Sequence, residues 1–214
     1  MSLLFLAMAN LGILGLVFPL PFSSYPIDIN PFIKISSLLF ALSIFVFIYN
    51  MMKTFTSPPS KESFPNPFGQ GDKAADKMAT QFTGASIIYL VIGCPLGVLF
   101  LLRPDLIPYL RPVHAHINLI GFVSIMIFGV SYHMFPRFAA KSLYSVRMGS
   151  IQFWLANTGL IGMILSWWLL ETGGAVQRAS LLTFAAIEAV AAVLYIYNCW
   201  KTLNSAGKSF IRFH

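Results

Sequence analysis

The sequence predicts an all-α, polytopic membrane helix bundle of about six transmembrane helices. Three observations predict it. Hydrophobic residues make up 57% of the 214 residues and charged residues only 10%, against roughly 25% charged in a soluble domain. The mean hydropathy is +0.75. The apolar residues gather into runs of about 20, the length that crosses a hydrocarbon core, and the basic residues fall in the short segments between them. The formal net charge of +7 is therefore a topology signal and not a nucleic-acid footprint. Membrane lipid is the expected surrounding.

Six stretches qualify as spans: residues 2–21, 32–52, 81–102, 113–135, 150–171 and 176–200. The first, within MSLLFLAMANLGILGLVFPLPF, has no Lys or Arg ahead of its apolar run. A signal peptide needs that charge, so the stretch reads as a retained span. The second completes an N-terminal pair, residues 1–52. Residues 53–80, rich in Pro, Ser, Gly and Lys, read as a solvent-exposed loop. Four spans then make up residues 81–202, and residues 203–214 form a polar tail ending in His214. The third span carries Gly93 and Gly97, a GxxxG spacing that lets helices approach closely. Asn118 in the fourth span, with Gln152 and Asn157 in the fifth, reads as an interhelical hydrogen-bonding group. Cys94 and Cys199 lack CxxC spacing and read as buried small hydrophobes. No internal repeat is evident.

If both termini share one side, that side receives ten of the fourteen Lys and Arg residues and the other receives Lys34, Arg103, Arg111 and Arg178. Cytoplasmic loops carry the basic excess. Both termini are therefore expected in the cytoplasm, and the protein in a bacterial or archaeal cytoplasmic membrane.

The fourth span, in RPVHAHINLIGFVSIMIFGVSYHMFPR, holds three of the four histidines. Ionisable groups inside a membrane are costly and are functional suspects by default. At about 100° per residue, with His114 at zero, Asn118 falls near 40°, Gly121 near 340°, Gly129 near 60° and Tyr132 near 0°. Gly121 leaves space for a flat macrocycle or another helix. His116 falls near 200°, on a stripe with Ile120, Val123, Ile127, Val130 and Met134. His133 lies about 28 Å of helix beyond His114. The three cannot share one metal ion. Each also has a bland alternative: interhelical hydrogen bonding for His114, snorkelling or a subunit contact for His116, and a role at the inner interface for His133.

Arg111, Pro112, His114, Asn118, Gly121, Gly129, Ser131 and Tyr132 together resemble the second helix of subunit I in the haem-copper oxidase superfamily, above all the cbb3-type oxidases and the nitric oxide reductases. Residues 72–102 look like the preceding helix, and 148–165, with Phe153 and Trp154, look like the following one. The likeness covers about residues 72–170 and is similar to that of short stand-alone proteins with a His-Ala-His-x-Asn-Leu-x-Gly signature. It implies that His114 is an axial ligand of a low-spin haem b near the outer face. A full subunit I also carries a later His-x-His and further metal-binding histidines. No other span here contains a histidine, so the resemblance implies a single haem and no binuclear centre within this chain.

Under that resemblance, Arg103 and Arg111 are candidates to pair with haem propionates; Asp105 can pair with one of them instead. Met163 is a candidate second axial ligand, since thioether sulfur ligates haem iron; a symmetric copy or another subunit is an alternative source. Glu188, near the middle of the sixth span, is a candidate for proton handling or for meeting a quinone; the bland alternative is a protonated, hydrogen-bonded carboxyl. The leading expectation is a haem b membrane subunit that relays electrons between a quinol or partner oxidoreductase and an outer-face cytochrome c-like protein, working with other redox subunits or as a homo-oligomer. The alternatives are a non-catalytic haem or copper binder that senses NO or delivers metal, with His114, His116 and His133 as possible ligands, and a structural anchor without cofactor.

Overall fold

The computed structural model describes residues 2–17, 31–56, 73–139, 141–169 and 173–204. Among these the chain is helical and contains no strand. The elements run α1 (Ser2–Val17), α2 (Pro31–Thr56), α3 (Lys73–Leu102), a 3-10 turn (Pro104–Leu106), α4 (Ile107–His116), a π-helical segment (Ile117–Ser124), α5 (Ile125–Phe138), α6 (Val146–Leu169) and α7 (Ala175–Asn204). Five of the resulting rods are long and apolar enough to cross a membrane, with Pro104–Phe138 as one of them, and α1 is a shorter apolar helix. This is the predicted all-α polytopic bundle.

Several boundaries differ from expectation. Residues 53–56 and 73–80, expected in the loop, are helical. The reason is length: the 30 residues of α3 span about 45 Å, more than the roughly 30 Å hydrocarbon core. Its first turns, with Lys73, Asp76 and Lys77, therefore extend the rod beyond the apolar stretch. The rest of that loop, residues 57–72, lies outside the described residues. So do residues 18–21 of the first expected span and residues 205–214 of the tail, with His214.

The chain forms two compact units. Unit 1 comprises residues 1–61 and 91–114, and unit 2 comprises residues 62–90 and 115–214.

In unit 1, α1 packs along α2 through small residues. A Cβ on Gly12 would stand 2.8 Å from Phe40, and one on Gly15 would strike Ser36. The rings of Phe5 and Phe47 meet at 5.5 Å. Between membrane helices such close backbone approach supplies the packing that hydrophobicity cannot, because lipid is as apolar as the side chains.

In unit 2, Phe82 of α3 is fully buried and its ring touches Phe128, Tyr132 and Phe153 at 5.0 to 6.3 Å. Gly129 accepts α3 closely: a Cβ there would stand 2.7 Å from Thr83 Oγ1 and 2.9 Å from the Ala79 carbonyl. On α6, Gly159 lies against Glu188 and Gly162 against the Phe184 ring of α7. The short link before α6 is tied to α7. Asn198 donates to the Ser145 carbonyl at 2.9 Å and accepts from the Ser145 N–H at 3.1 Å, while Thr202 Oγ1 accepts from the Tyr144 N–H at 3.0 Å. Those bonds satisfy backbone groups freed at the start of α6.

The π-helical segment changes one element of the wheel. Val113, Ile117, Gly121, Ile125 and Gly129 are all buried, every fourth residue. In a regular α-helix such a series drifts by about 40° per step. The wider turn over Ile117–Ser124 closes i to i+5 and takes the drift back, so the buried stripe stays straight.

Candidate functional site

His114 sits on the GxxxG face of α3. Its Nδ1 lies 3.1 Å from the Gly93 carbonyl oxygen, and its ring meets Phe100 edge-on at 5.3 Å. A Cβ on Gly97 would stand 3.1 Å from His114 Cε1. Two glycines one turn apart thus make the notch in which the half-buried imidazole rests. The carbonyl can only accept, so Nδ1 is the protonated nitrogen and Nε2 carries the lone pair. This is the orienting bond that metal-ligating histidines commonly make.

His116 turns elsewhere. Its half-buried ring packs on Trp167 of α6 at 4.4 Å. The stripe below it faces outward: Val123, Ile127 and Val130 are 41 to 51% exposed, as suits lipid contact.

His133 belongs to an ion-pair cluster. Its Nδ1 lies 3.0 Å from Asp76 Oδ1, and Arg137 donates to Asp76 Oδ2 at 2.8 Å and to the His133 carbonyl at 2.6 Å. The Arg137 guanidinium is also 3.0 Å from that ring nitrogen. A fixed cation so close opposes a metal ion at this nitrogen. Asp76 was not singled out by sequence. Its signal was a lone acid between Lys73 and Lys77, at the membrane end to which topology brings Arg137.

The other candidates are placed as follows. Arg103 makes a two-bond pair with Asp105 at 2.7 and 2.9 Å, the partner anticipated as an alternative to a propionate, and both are exposed. Arg111 is exposed, one turn before His114 in α4. Asn118 lies in the π-helical segment, half-buried. Another helix lies close at Gly121: a Cβ there would stand 2.6 Å from Cγ of Tyr89. Met163 is 4% exposed, on the buried face of α6 in unit 2. Among the described residues no group of three or more His, Cys, Asp or Glu side chains could hold a metal ion.

A second polar group lies within unit 2. Tyr89 donates to Asn157 Oδ1 at 2.8 Å, and Asn157 donates to the Phe153 carbonyl at 2.7 Å. This is the interhelical bond expected of Asn157. Glu188 rests on Gly159, with Oε1 buried and without a hydrogen-bond partner among the described residues. Gln152, expected to bond between helices, is fully buried with both amide heteroatoms unpartnered among those residues.

A family model for cytochrome c and quinol oxidase polypeptide I matches residues 1–206. That reaches the first two spans, which the resemblance in sequence had left unassigned. The chain is 25% identical to the Cbb3-type cytochrome c oxidase subunit CcoN1 of Stutzerimonas stutzeri, over 44% of this chain and 25% of that protein. It is 29% identical to the Cytochrome c oxidase subunit 1 of Rhodobacter capsulatus, over 45% of this chain and 23% of that protein. The match thus spans about a quarter of the length of these curated relatives. With apolar helices long enough to cross a bilayer and a family match over nearly all its residues, the chain is a multi-pass membrane protein that belongs to the cytochrome c and quinol oxidase polypeptide I family, the haem-copper oxidase subunit I-like proteins.

Proposed function

We propose that this chain is a haem b-binding subunit of a respiratory-type redox complex in a cytoplasmic membrane, relaying single electrons between a quinol or partner oxidoreductase and an outer-face cytochrome. The observation that carries the reading is the His114 imidazole, oriented in the Gly93–Gly97 notch with Nδ1 on a backbone carbonyl. That arrangement suits a haem-iron ligand: the tautomer is set, the ring is held, and Nε2 would be the nitrogen offered to the iron. Bound haem supplies a one-electron couple whose potential follows ligand identity and burial. The protein's part is to hold and orient His114, which the notch does through the Gly93 carbonyl.

A second ligand to the haem would come from a partner chain or a symmetric copy. Arg111, exposed one turn before His114, and Arg103 are the candidate propionate partners. Glu188 is the candidate proton or quinone-contacting group. A cofactor-free anchor is the second reading, favoured by Tyr89 filling the gap at Gly121.

A reduced-minus-oxidised visible spectrum of the protein purified with its native partners, beside His114→Ala, separates these. A b-type α-band near roughly 560 nm that vanishes in the variant supports the relay. A six-coordinate ferrous haem that ignores CO and NO distinguishes a relay from a gas sensor. A folded, colourless wild-type protein rejects the haem reading and leaves the anchor.

A further inference from the structure

We propose that unit 1 carries a binding site for one anionic phospholipid, with an acyl chain in the groove between α2 and α3 and the phosphate at Lys34 and Arg103. The groove has a volume of about 290 Å³ and is walled by Leu38, Ala41 and Phe45 of α2 and by Pro95, Leu99 and Leu102 of α3. Every described side chain that lines it is apolar. Leu38 to Phe45, and equally Pro95 to Leu102, is seven residues, or about 10 Å along the helices. That is about two-thirds of one leaflet's roughly 15 Å of hydrocarbon. Ala41 at the floor is 6% exposed, while Leu38, Phe45 and Leu102 at the rims are 52, 53 and 73% exposed. The shape is a straight, open-sided channel parallel to the helices, which suits a hydrocarbon chain better than a ring.

The charges select the headgroup. Consecutive spans cross in opposite directions, so Leu38 and Leu102 share one end of the groove. Lys34 stands one turn beyond Leu38 on the same face of α2 and is exposed, and Arg103 directly follows Leu102. Asp105 fixes the Arg103 guanidinium at 2.7 Å. Among the described residues at this end, Lys34 and Arg103 outnumber Asp105, and a surplus of positive charge suits a phosphodiester. A zwitterionic headgroup would bring its own cation to a basic rim.

The groove also backs onto the His114 notch. Pro95, Leu99 and Leu102 centre near 200° on the α3 wheel when Gly93 is at zero, whereas Gly97 and Phe100 fall within about 40° of Gly93. Pro95 lacks the N–H that would bond within this turn. An acyl chain on that side therefore supports the helical segment whose other face holds His114. The proposal does not depend on haem.

The whole chain, purified in mild detergent and washed free of loosely held lipid, is extracted and its phospholipid counted. It is then titrated with phosphatidylglycerol or phosphatidylcholine of matched chains while the thermal midpoint is read. The expected result is one retained anionic phospholipid per chain and a midpoint raised by phosphatidylglycerol alone. Lys34→Glu, at an exposed position, should weaken that response at least about fivefold, the worth of one basic residue at an anionic surface. Ala41→Phe, which fills the floor, should abolish retention. Equal responses to the two lipids, a Lys34→Glu titration like that of the wild type, or recovery of a prenyl quinone in place of phospholipid would each overturn the proposal.

Discussion

Gly97→Ala is the perturbation that best probes the His114 notch. The new Cβ would stand 3.1 Å from Cε1, 3.7 Å from Nε2 and 3.9 Å from Nδ1 of the imidazole. Carbon atoms in ordinary contact sit about 3.5–4.0 Å apart, so the ring must retreat by roughly 0.4 Å or more. It is held by the 3.1 Å bond from Nδ1 to the Gly93 carbonyl, and the retreat takes that bond to the edge of hydrogen-bonding distance. Such a bond is worth about 0.5–1.5 kcal/mol net, and overpacking of this kind costs about 1–3 kcal/mol. Alanine also gains about 1 kcal/mol over glycine in a helix, which would mask part of the loss. Gly84→Ala removes the ambiguity, because it lies in the same helix and its Cβ meets nothing within 4 Å. In thermal or denaturant unfolding in detergent, Gly97→Ala should be less stable than Gly84→Ala by about 1–3 kcal/mol. Its His114-dependent absorbance should also fall or shift. Equal stability of the two variants, with an unchanged spectrum, would refute the notch as the element that orients His114.

Other outcomes follow from the same geometry. Gly121→Ala places a Cβ 2.6 Å from the Tyr89 ring and should cost about 1–3 kcal/mol of stability, read in the same unfolding assay. Tyr89→Phe removes the 2.8 Å bond to Asn157 and should cost about 1 kcal/mol; a double-mutant cycle with Asn157→Ala checks that the loss belongs to this pair. Asp76→Asn breaks the pairs to Arg137 and His133. These are partly solvated, so the loss should stay near 0.5–1 kcal/mol and shrink as salt is raised. Glu188→Gln keeps the packing on Gly159 and should remove a protonated-carboxyl stretching band from the infrared spectrum; a wild-type band unchanged by the substitution, or no such band, would refute a resting protonated Glu188.

Much of the architecture was legible in the residues because lipid is a simple solvent. An apolar run of about 20 residues has one favourable outcome there, a helix with all its backbone bonds internal. The separation of the three histidines was legible for a similar reason. A rise of about 1.5 Å and a turn of about 100° per residue put His114, His116 and His133 out of each other's reach whatever surrounds them. His114 rests on α3, His116 on Trp167 and His133 on Asp76. The Arg103–Asp105 pair needed only two residues near each other in sequence.

Other features depended on partners distant in the chain. GxxxG in the third span marked a place for close approach, but not that an imidazole from the fourth span would fill it. The gap at Gly121 was visible, and Tyr89, 32 positions earlier in the numbering, takes it. Asp76 carried no periodic signal, and its role appears only when Arg137 lies 2.8 Å away. The π-helical turn after His116 arises from packing that keeps every fourth residue inside, which a regular wheel does not anticipate. Hydropathy and helical pitch act locally, so the elements and what their chemistry forbids follow from the residues alone. Tertiary structure alone decided which groups meet, because that depends on how neighbouring helices interlock over distances the local pattern does not encode.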